Sequence, residues 1–165
     1  MKKYLVALSL LILSLSSRAQ TMGFGDMVDL VRLSVGQVDN ILIATGKYRL
    51  NDKREVQGQI ISKYQSIDKN KNVIKGETLV TGSFRTTSDG TLLRTVTYYT
   101  VYPKYIQNLM KQITHYGYRL TFRGADPTRI IYIYDNALNH VTVSMLADHS
   151  NNSIEIRQKD ADLEP

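Results

Sequence analysis

Residues 92–123 read LLRTVTYYTVYPKYIQNLMKQITHYGYRLTFR and predict a strand, a helix and a second strand in succession. Leu92–Val101 and Tyr118–Arg123 are rich in the β-branched and aromatic residues that favour strands. Between them, Pro103 suits the first position of a helix because its missing N–H would have no partner there. Gly117 suits the left-handed position that ends a helix. The stretch therefore predicts an α+β chain in which a helix joins two runs of strands.

The same pattern of a helix followed by strands is expected earlier in the chain. Asp26 is suited to cap a helix that Gly46 would end. The apolar residues of this segment recur at spacings of three and four, which places them on one helix face: Val28, Val31, Val35, Val38 and Leu42. Four strands are predicted after each helix: Tyr48–Leu50, Val56–Ile67, Thr78–Thr86 and Leu92–Val101, then Tyr118–Arg123, Arg129–Tyr134, Val141–Leu146 and Ser153–Arg157.

The two runs align with each other along the sequence. At an offset of 71 residues Gly46 falls on Gly117, and past Lys47 an offset of 70 places Tyr48–Leu50 on Tyr118–Leu120. The sequence thus predicts two tandem repeats, each of one helix followed by about four antiparallel strands. Because one such unit has a small core, the two repeats are expected to share a core. The expected boundaries are 20–101 for the first repeat, 102–158 for the second and 159–165 for a disordered tail.

Residues 1–19 read MKKYLVALSLLILSLSSRA, with a basic start, a short apolar run and small residues before Gln20. This is the layout of a cleaved secretory signal peptide. The apolar run is shorter than the roughly 20 residues that a membrane-spanning helix needs. We therefore expect an exported protein, periplasmic or extracellular, without a membrane span. Because the sequence contains no cysteine, neither a lipid anchor on cysteine nor a disulfide framework is expected.

The order of a signal peptide and then a helix with four antiparallel strands, twice over, resembles the architecture of the beta-lactamase inhibitor protein family. The resemblance covers most of residues 24–158 and concerns the order of elements. In that family two such repeats form a concave sheet that grips a partner protein, so the resemblance implies a protein-binding sheet. The chain also resembles small secreted proteins of Bacteroidota-type bacteria. The inhibitor scaffold uses disulfides, which this chain lacks, and no functional residue is carried over from it.

The histidines offer little metal or catalytic chemistry. His140 and His149 flank one predicted strand and, at about 3.3 Å per residue, would lie roughly 30 Å apart. They cannot share a metal, and no metal or cofactor is expected. Hairpin pairing is expected to bring Asp126 near His149, an acid–base pair that would suit a small periplasmic hydrolase. No Gly-x-Ser-x-Gly or other nucleophile motif accompanies this pair.

Two features of the sequence indicate a binding surface. The chain has 11 tyrosines against three phenylalanines and no tryptophan, and tyrosine is common at interfaces. On a continuous first helix, three further apolar residues fall opposite the main stripe. They must be covered by another part of the chain or present a contact surface. The candidate binding residues from both features are Leu30, Leu33, Ile41, Tyr98, Tyr102 and Tyr118.

The charge balance says little about partners. The 21 basic residues of the 165-residue chain fall to 18 once Lys2, Lys3 and Arg18 leave with the leader, against 15 acidic residues, a net charge of +3. Nucleic acid is not an expected partner, because export separates the protein from it. We expect a non-catalytic binding or protein-interaction module whose partner is another protein or a second copy of the chain. A periplasmic hydrolase and a structural subunit of an envelope complex are the alternatives.

Overall fold

The computed structural model describes residues 22–148 and 150–160. The expected leader at 1–19, His149 and residues 161–165 lie outside this part of the chain. Within it, three α-helices accompany one eight-stranded antiparallel sheet, which confirms the α+β class. The elements are α1 (Phe24–Leu30), α2 (Val35–Ala44), β1 (Tyr48–Val56), β2 (Gln59–Ile67), β3 (Val73–Thr86), β4 (Leu92–Thr100), α3 (Pro103–Ile113), β5 (Arg119–Ala125), β6 (Arg129–Asp135), β7 (Asn139–Leu146) and β8 (Asn152–Gln158).

The strand order of the sheet is β1-β2-β3-β4-β8-β7-β6-β5. Each run of four strands forms a meander in which consecutive strands pair antiparallel. The two meanders meet in the middle of the sheet, where β4 pairs with β8 from Thr95↔Arg157 to Thr100↔Asn152. β1 and β5, the first strand of each meander, therefore form the two edges.

The single first helix expected from Asp26 to Gly46 is wrong, because the segment forms two helices. Ser34 begins α2 with a capping box, in which its backbone N–H donates to the Gln37 side chain at 2.9 Å. This side-chain partner replaces the backbone bonds that would have continued α1 through residues 31–34. The apolar spacing runs through the break because both helices rest on the same core.

The first hairpin also differs from the expectation. β1 continues to Val56, whereas the sequence predicted a short strand at Tyr48–Leu50 and a long one from Val56 to Ile67. Gln57 and Gly58, with φ of 53° and 76°, form the two-residue turn between β1 and β2. The second half of β1 is exposed on both faces, so its sequence lacks the alternation by which a half-buried strand is recognised.

The hydrophobic core lies on one face of the sheet. Every buried apolar residue of the three helices belongs to a single cluster, together with one alternate set of strand residues. All three helices therefore cover the same face. The strand members of the cluster are Tyr48, Tyr64, Leu79, Val96, Tyr98, Tyr118, Tyr134, Val141, Val143, Ile154 and Ile156. We call the opposite face, which no described helix covers, the helix-free face.

The end of the described chain packs against the sheet. Lys159 donates its backbone N–H to the Leu138 carbonyl at 2.9 Å. Asp160 is 3% exposed, and its carboxylate lies 3.5 Å from the Arg85 guanidinium. These two residues, which the sequence assigned to the tail, therefore belong to the folded body.

Candidate binding site

Leu30, Leu33 and Ile41, which the sequence singles out, all line one cleft between α1 and α2. The cleft has a volume of about 250 Å³. Leu30 is buried, Leu33 is half-buried, and Ile41 is 45% exposed. Leu30 belongs to α1, Leu33 to the break at residues 31–34 and Ile41 to α2, so both helices and the break contribute to the lining. Both expectations for these residues are therefore met in part, because Leu30 is covered by the chain itself whereas Ile41 faces outward.

The rest of the cleft has an apolar floor and a charged rim. Met22, Leu42 and Tyr48, all buried, complete the floor. Asp26 and Asp29 of α1 reach the rim, as do Thr45 and Lys47 from the other wall. The Asp26 carboxylate also accepts a hydrogen bond from the Gly23 N–H at 2.9 Å, so its capping role lies at the third position of α1 and not at the cap itself.

Two of the three candidate tyrosines belong to the core and present no surface to a partner. Tyr98 is fully buried and donates its hydroxyl to the Glu77 carboxylate at 2.8 Å. Burial, and then the charge of Glu77, raise the pKa of Tyr98. Tyr118 is 3% exposed, and its hydroxyl accepts a hydrogen bond from the Asn139 amide at 3.1 Å. Both hydroxyls are therefore used in internal hydrogen bonds.

Tyr102, the third candidate, lies at the beginning of α3 and is half-buried. Its ring centroid is 5.1 Å from that of Tyr105. Its hydroxyl reaches the Lys75 carbonyl only at 3.4 Å. The structure does not bring Tyr102 into the cleft between α1 and α2, whose lining lies on other elements.

The helix-free face carries a broad set of apolar side chains. In β4 this face receives Thr95, Thr97 and Tyr99, which alternate with the core residues Val96 and Tyr98. Phe122 is 52% exposed, and its ring lies over Gly124, where an added Cβ would come within 2.8 Å of it. The ring thus covers backbone that a glycine leaves bare. The apolar members of the face include Val56, Ile61, Val80, Phe84, Leu93, Tyr99, Phe122, Ile131, Ile133 and Leu146, of which Leu93 is only 6% exposed.

Basic residues outnumber acidic residues on the helix-free face. The basic residues that the strand register directs to it are Arg49, Arg54, Lys63, Arg85, Arg119, Arg129 and Arg157, and Lys159 reaches it beside Asp135. The acidic residues are Asp52, Asp135 and Glu155, with Asp126 and Asp160 against Arg129 and Arg85. Some of these charges are neutralised locally, for example Arg129 by Asp126 at 3.5 Å. Within the described residues Arg49, Lys63 and Arg119 have no ion pair. The face therefore has a net positive charge.

A charged cluster lies on the β5–β8 side of this face. Asp135 contacts the His140 imidazole, accepts the Thr121 hydroxyl at 2.5 Å and lies 3.7 Å from the Lys159 ammonium. Burial opposes the charge of Asp135, but the hydrogen bond from Thr121 and the proximity of His140 and Lys159 outweigh it and lower the pKa of Asp135. An open groove of about 380 Å³ runs beside the cluster. A carboxylate held ionised in this way acts as an ion-pair partner and not as a proton acceptor.

Asp126, the acid of the expected hydrolase pair, accepts hydrogen bonds from residues of its own turn. The Asp126 carboxylate accepts the Thr128 hydroxyl at 2.5 Å and the N–H groups of Thr128 and Arg129 at 2.7 and 3.0 Å. The hydrogen bonds from Thr128 lower the pKa of Asp126. His149 lies outside the described residues. The described contacts of Asp126 are those of a turn former.

Sequence reasoning missed the helix-free face, although one strand carries a signal for it. In β6, Tyr132 and Tyr134 face the core side while Ile131 and Ile133 face the helix-free side. A strand that is apolar on both sides needs a cover on both sides or a partner on one of them. The high number of tyrosines in the sequence pointed instead to Tyr98 and Tyr118, which are buried in the core.

In the part of the chain that the structure describes, every helix is too short or too polar to cross a membrane. Among the same residues no three metal-binding side chains of His, Cys, Asp or Glu come together. No protein-family model matches the chain, and no curated protein or solved structure is significantly similar to it.

Proposed function

We propose that this chain is an exported, non-catalytic protein-interaction module whose helix-free face binds a partner protein with an acidic surface. The observation that carries the proposal is the asymmetry of the sheet. One face packs on three helices, whereas no described helix covers the other, which mixes aromatic, aliphatic and basic side chains. Aromatic residues and arginine are the residue types enriched at protein interfaces.

The unpaired basic residues support an acidic partner. Arg49 and Lys63 lie near one edge of the sheet and Arg119 lies at the other, so a partner that neutralises all three spans the whole face. Exposed charges of this kind steer association and are screened by salt. Binding is therefore expected to weaken as the ionic strength rises.

We further infer that the fold consists of two tandem repeats. At the offset of 70 residues, Tyr48 and Tyr118 are both buried at the beginning of an edge strand. The pairing register shifts between Leu50 and Asp52 and again between Leu120 and Phe122, so the two β-bulges also correspond. Helix α1 is then an addition to the first repeat. This correspondence supports the likeness to the inhibitor family, in which a sheet of two repeats grips a protein.

A capture experiment with matched charge reversals tests the interaction. The chain from Gln20 onward is immobilised and exposed to an extract of its own cell envelope. Lys63→Glu with Arg119→Glu alters the helix-free face, and Lys104→Glu with Lys111→Glu alters exposed positions of α3 by the same charge. We expect the wild type and the α3 variant to retain the same protein and the sheet variant to lose it. Loss from both variants, or from neither, would contradict the proposal.

Export is tested separately by the mass of the native protein. We expect a chain that begins at Gln20, because the leader is removed during secretion. An intact segment from Met1 to Ala19 in protein extracted from membranes would contradict this.

A further inference from the structure

We propose that the cleft between α1 and α2 is a second binding site, which takes one aliphatic group bearing an ammonium. An alkylamine and the N-terminal residue of a peptide with an aliphatic side chain both have this chemistry. The cleft lies on the helix-covered side of the sheet, so this site is separate from the helix-free face. The inference does not depend on the proposed function.

The dimensions of the cleft select a small apolar group. Its volume of about 250 Å³ is below the range of roughly 300–1,000 Å³ that drug-sized ligands occupy. Leu30 and Leu33 supply aliphatic walls, and Leu42 and Tyr48, each 3% exposed, belong to the floor. Ile41 keeps 45% of its surface exposed at the mouth. A bound aliphatic group would cover this side chain and remove its apolar surface from water.

The charges at the rim select an ammonium over a carboxylate. Asp26 and Asp29 lie on the α1 side, and Lys47 is the basic residue of the lining. Within the described residues Asp29 has no ion-pair partner, whereas Asp26 is partly engaged by the Gly23 N–H. An ammonium beside Asp29 gains an opposite charge over an apolar floor, whereas a carboxylate there would face two like charges. Because Lys47 repels an ammonium, the ammonium is expected on the α1 side of the cleft, beside Asp29.

Three probes of the same length and different charge test the inference. Hexylammonium, 1-hexanol and hexanoate are titrated at pH 7 into the chain from Gln20, which contains every described element. Methyl resonances of Ile41 and Leu33 report binding by nuclear magnetic resonance. We expect hexylammonium to shift both resonances at the lowest concentration, hexanol to need more, and hexanoate to need the most. Leucinamide, a mimic of a peptide N-terminus, is expected to shift the same resonances. The probe that needs the lower concentration, leucinamide or hexylammonium, identifies the source as a peptide N-terminus or an alkylamine.

Matched variants separate the charge from the cavity. Asp29→Asn is expected to weaken hexylammonium binding about two- to fivefold, as an exposed ion pair would, and to leave hexanol binding unchanged. Glu55→Gln removes an exposed carboxylate on the distant β1–β2 hairpin and is expected to change neither. Leu33→Trp, which fills the cleft, is expected to abolish the shifts of Ile41 with all probes.

Other results would overturn the inference. Equal binding of the three probes would show a cleft without charge selection. Shifts of Ile41 and Leu33 that depend on protein concentration in the absence of any probe would assign the cleft to a second copy of the chain. Resonance shifts that survive Leu33→Trp would place the probe elsewhere.

Discussion

The hydroxyl of Tyr98 has a structural role that the sequence does not reveal. It donates to Glu77, a carboxylate that is only 4% exposed under the helices. Removing a partner from a buried charged group leaves that group poorly solvated. We therefore expect Tyr98→Phe to lower the free energy of unfolding by about 1–3 kcal/mol, as measured by urea denaturation.

Tyr102→Phe is the matched control for this substitution. Its hydroxyl makes one long contact with the Lys75 carbonyl at 3.4 Å. A change within about 0.5 kcal/mol is expected there. Equal effects at both positions would argue against a special role of the Tyr98–Glu77 bond.

Tyr64 gives the fold a sensitivity to alkaline pH. Its hydroxyl donates to Asp39, which also binds the Lys53 ammonium at 2.6 Å. Burial, and then the hydrogen bond to Asp39, raise the pKa of Tyr64 from 10.0 to about 12. The pKa is higher in the folded state than in the unfolded state, so the resulting stability is fully present below pH 10 and is lost as the pH rises through 12.

Titration of tyrosine absorbance near 295 nm checks this expectation. Tyr64→Phe should remove one tyrosine that ionises near pH 12 and should reduce the loss of stability between pH 10 and 12. Asp39→Asn should keep the tyrosine but move its ionisation to lower pH, because the acceptor charge is gone. An unchanged titration curve in both variants would contradict the assignment.

At the scale of elements, the apolar residues on the two sides of the break between α1 and α2 differ in burial. Leu30 is 4% exposed and belongs to the core, whereas Ile41 is 45% exposed. We expect Leu30→Asp to cost at least about 3 kcal/mol, because it puts a charge in the core. Ile41→Asp should cost less than about 1 kcal/mol. Circular dichroism during thermal unfolding distinguishes the two, and unfolding of the Ile41 variant would contradict the described placement.

The sequence predicts most elements where composition and burial agree. Helix α3 begins at Pro103 as predicted, and Gly117 adopts the left-handed φ of 79° after the short 3-10 turn that follows the helix. β4, β7 and β8 fall close to their predicted ranges because each alternates buried with less buried residues. β5 and β6 are more exposed, and their ranges follow from their β-branched and aromatic residues. The sequence predicts one continuous first helix because apolar residues at helical spacing do not reveal a break when both helices, α1 and α2, pack on the same core. β1 was shortened because its second half is exposed on both faces and reads as a loop.

The candidate site was only partly predictable for a related reason. Periodicity identified Leu30, Leu33 and Ile41 as a set, and they do share one cleft. It did not distinguish which tyrosines the core uses, because Tyr98 and Tyr99 are equally apolar in sequence and differ only in the face to which they point. The face of a side chain depends on the strand register, which is set by pairing between residues far apart in the chain.

At the scale of the whole molecule, the two runs of strands depend on each other. Phe24 of α1 contacts Tyr116 and Tyr118, which lie beyond α3, with ring centroids 5.4 Å apart in both pairs. Leu79 and Tyr98 are fully buried in a cluster that also contains Ile154. We expect a chain of residues 20–101 alone to show no cooperative unfolding transition, because its core would lose these contacts.

Mixing the two parts provides the complementary measurement. Residues 20–101 and 102–160, combined in equal amounts, should regain a cooperative transition in circular dichroism if the interface between β4 and β8 forms between separate chains. A first part that unfolds cooperatively by itself would contradict a shared core.

The last strand of the described chain, β8, lies in the middle of the sheet between β4 and β7. The Asn152 side chain donates to the Thr100 carbonyl across 52 positions of sequence, and such distant pairings slow folding because a large loop must close first. A growing chain that has not yet reached Asn152 exposes two unpaired strand edges, which are prone to aggregation. Completion of the sheet thus waits until β8 has been synthesised, so the first meander keeps an open edge at β4 for as long as the following strands are being made.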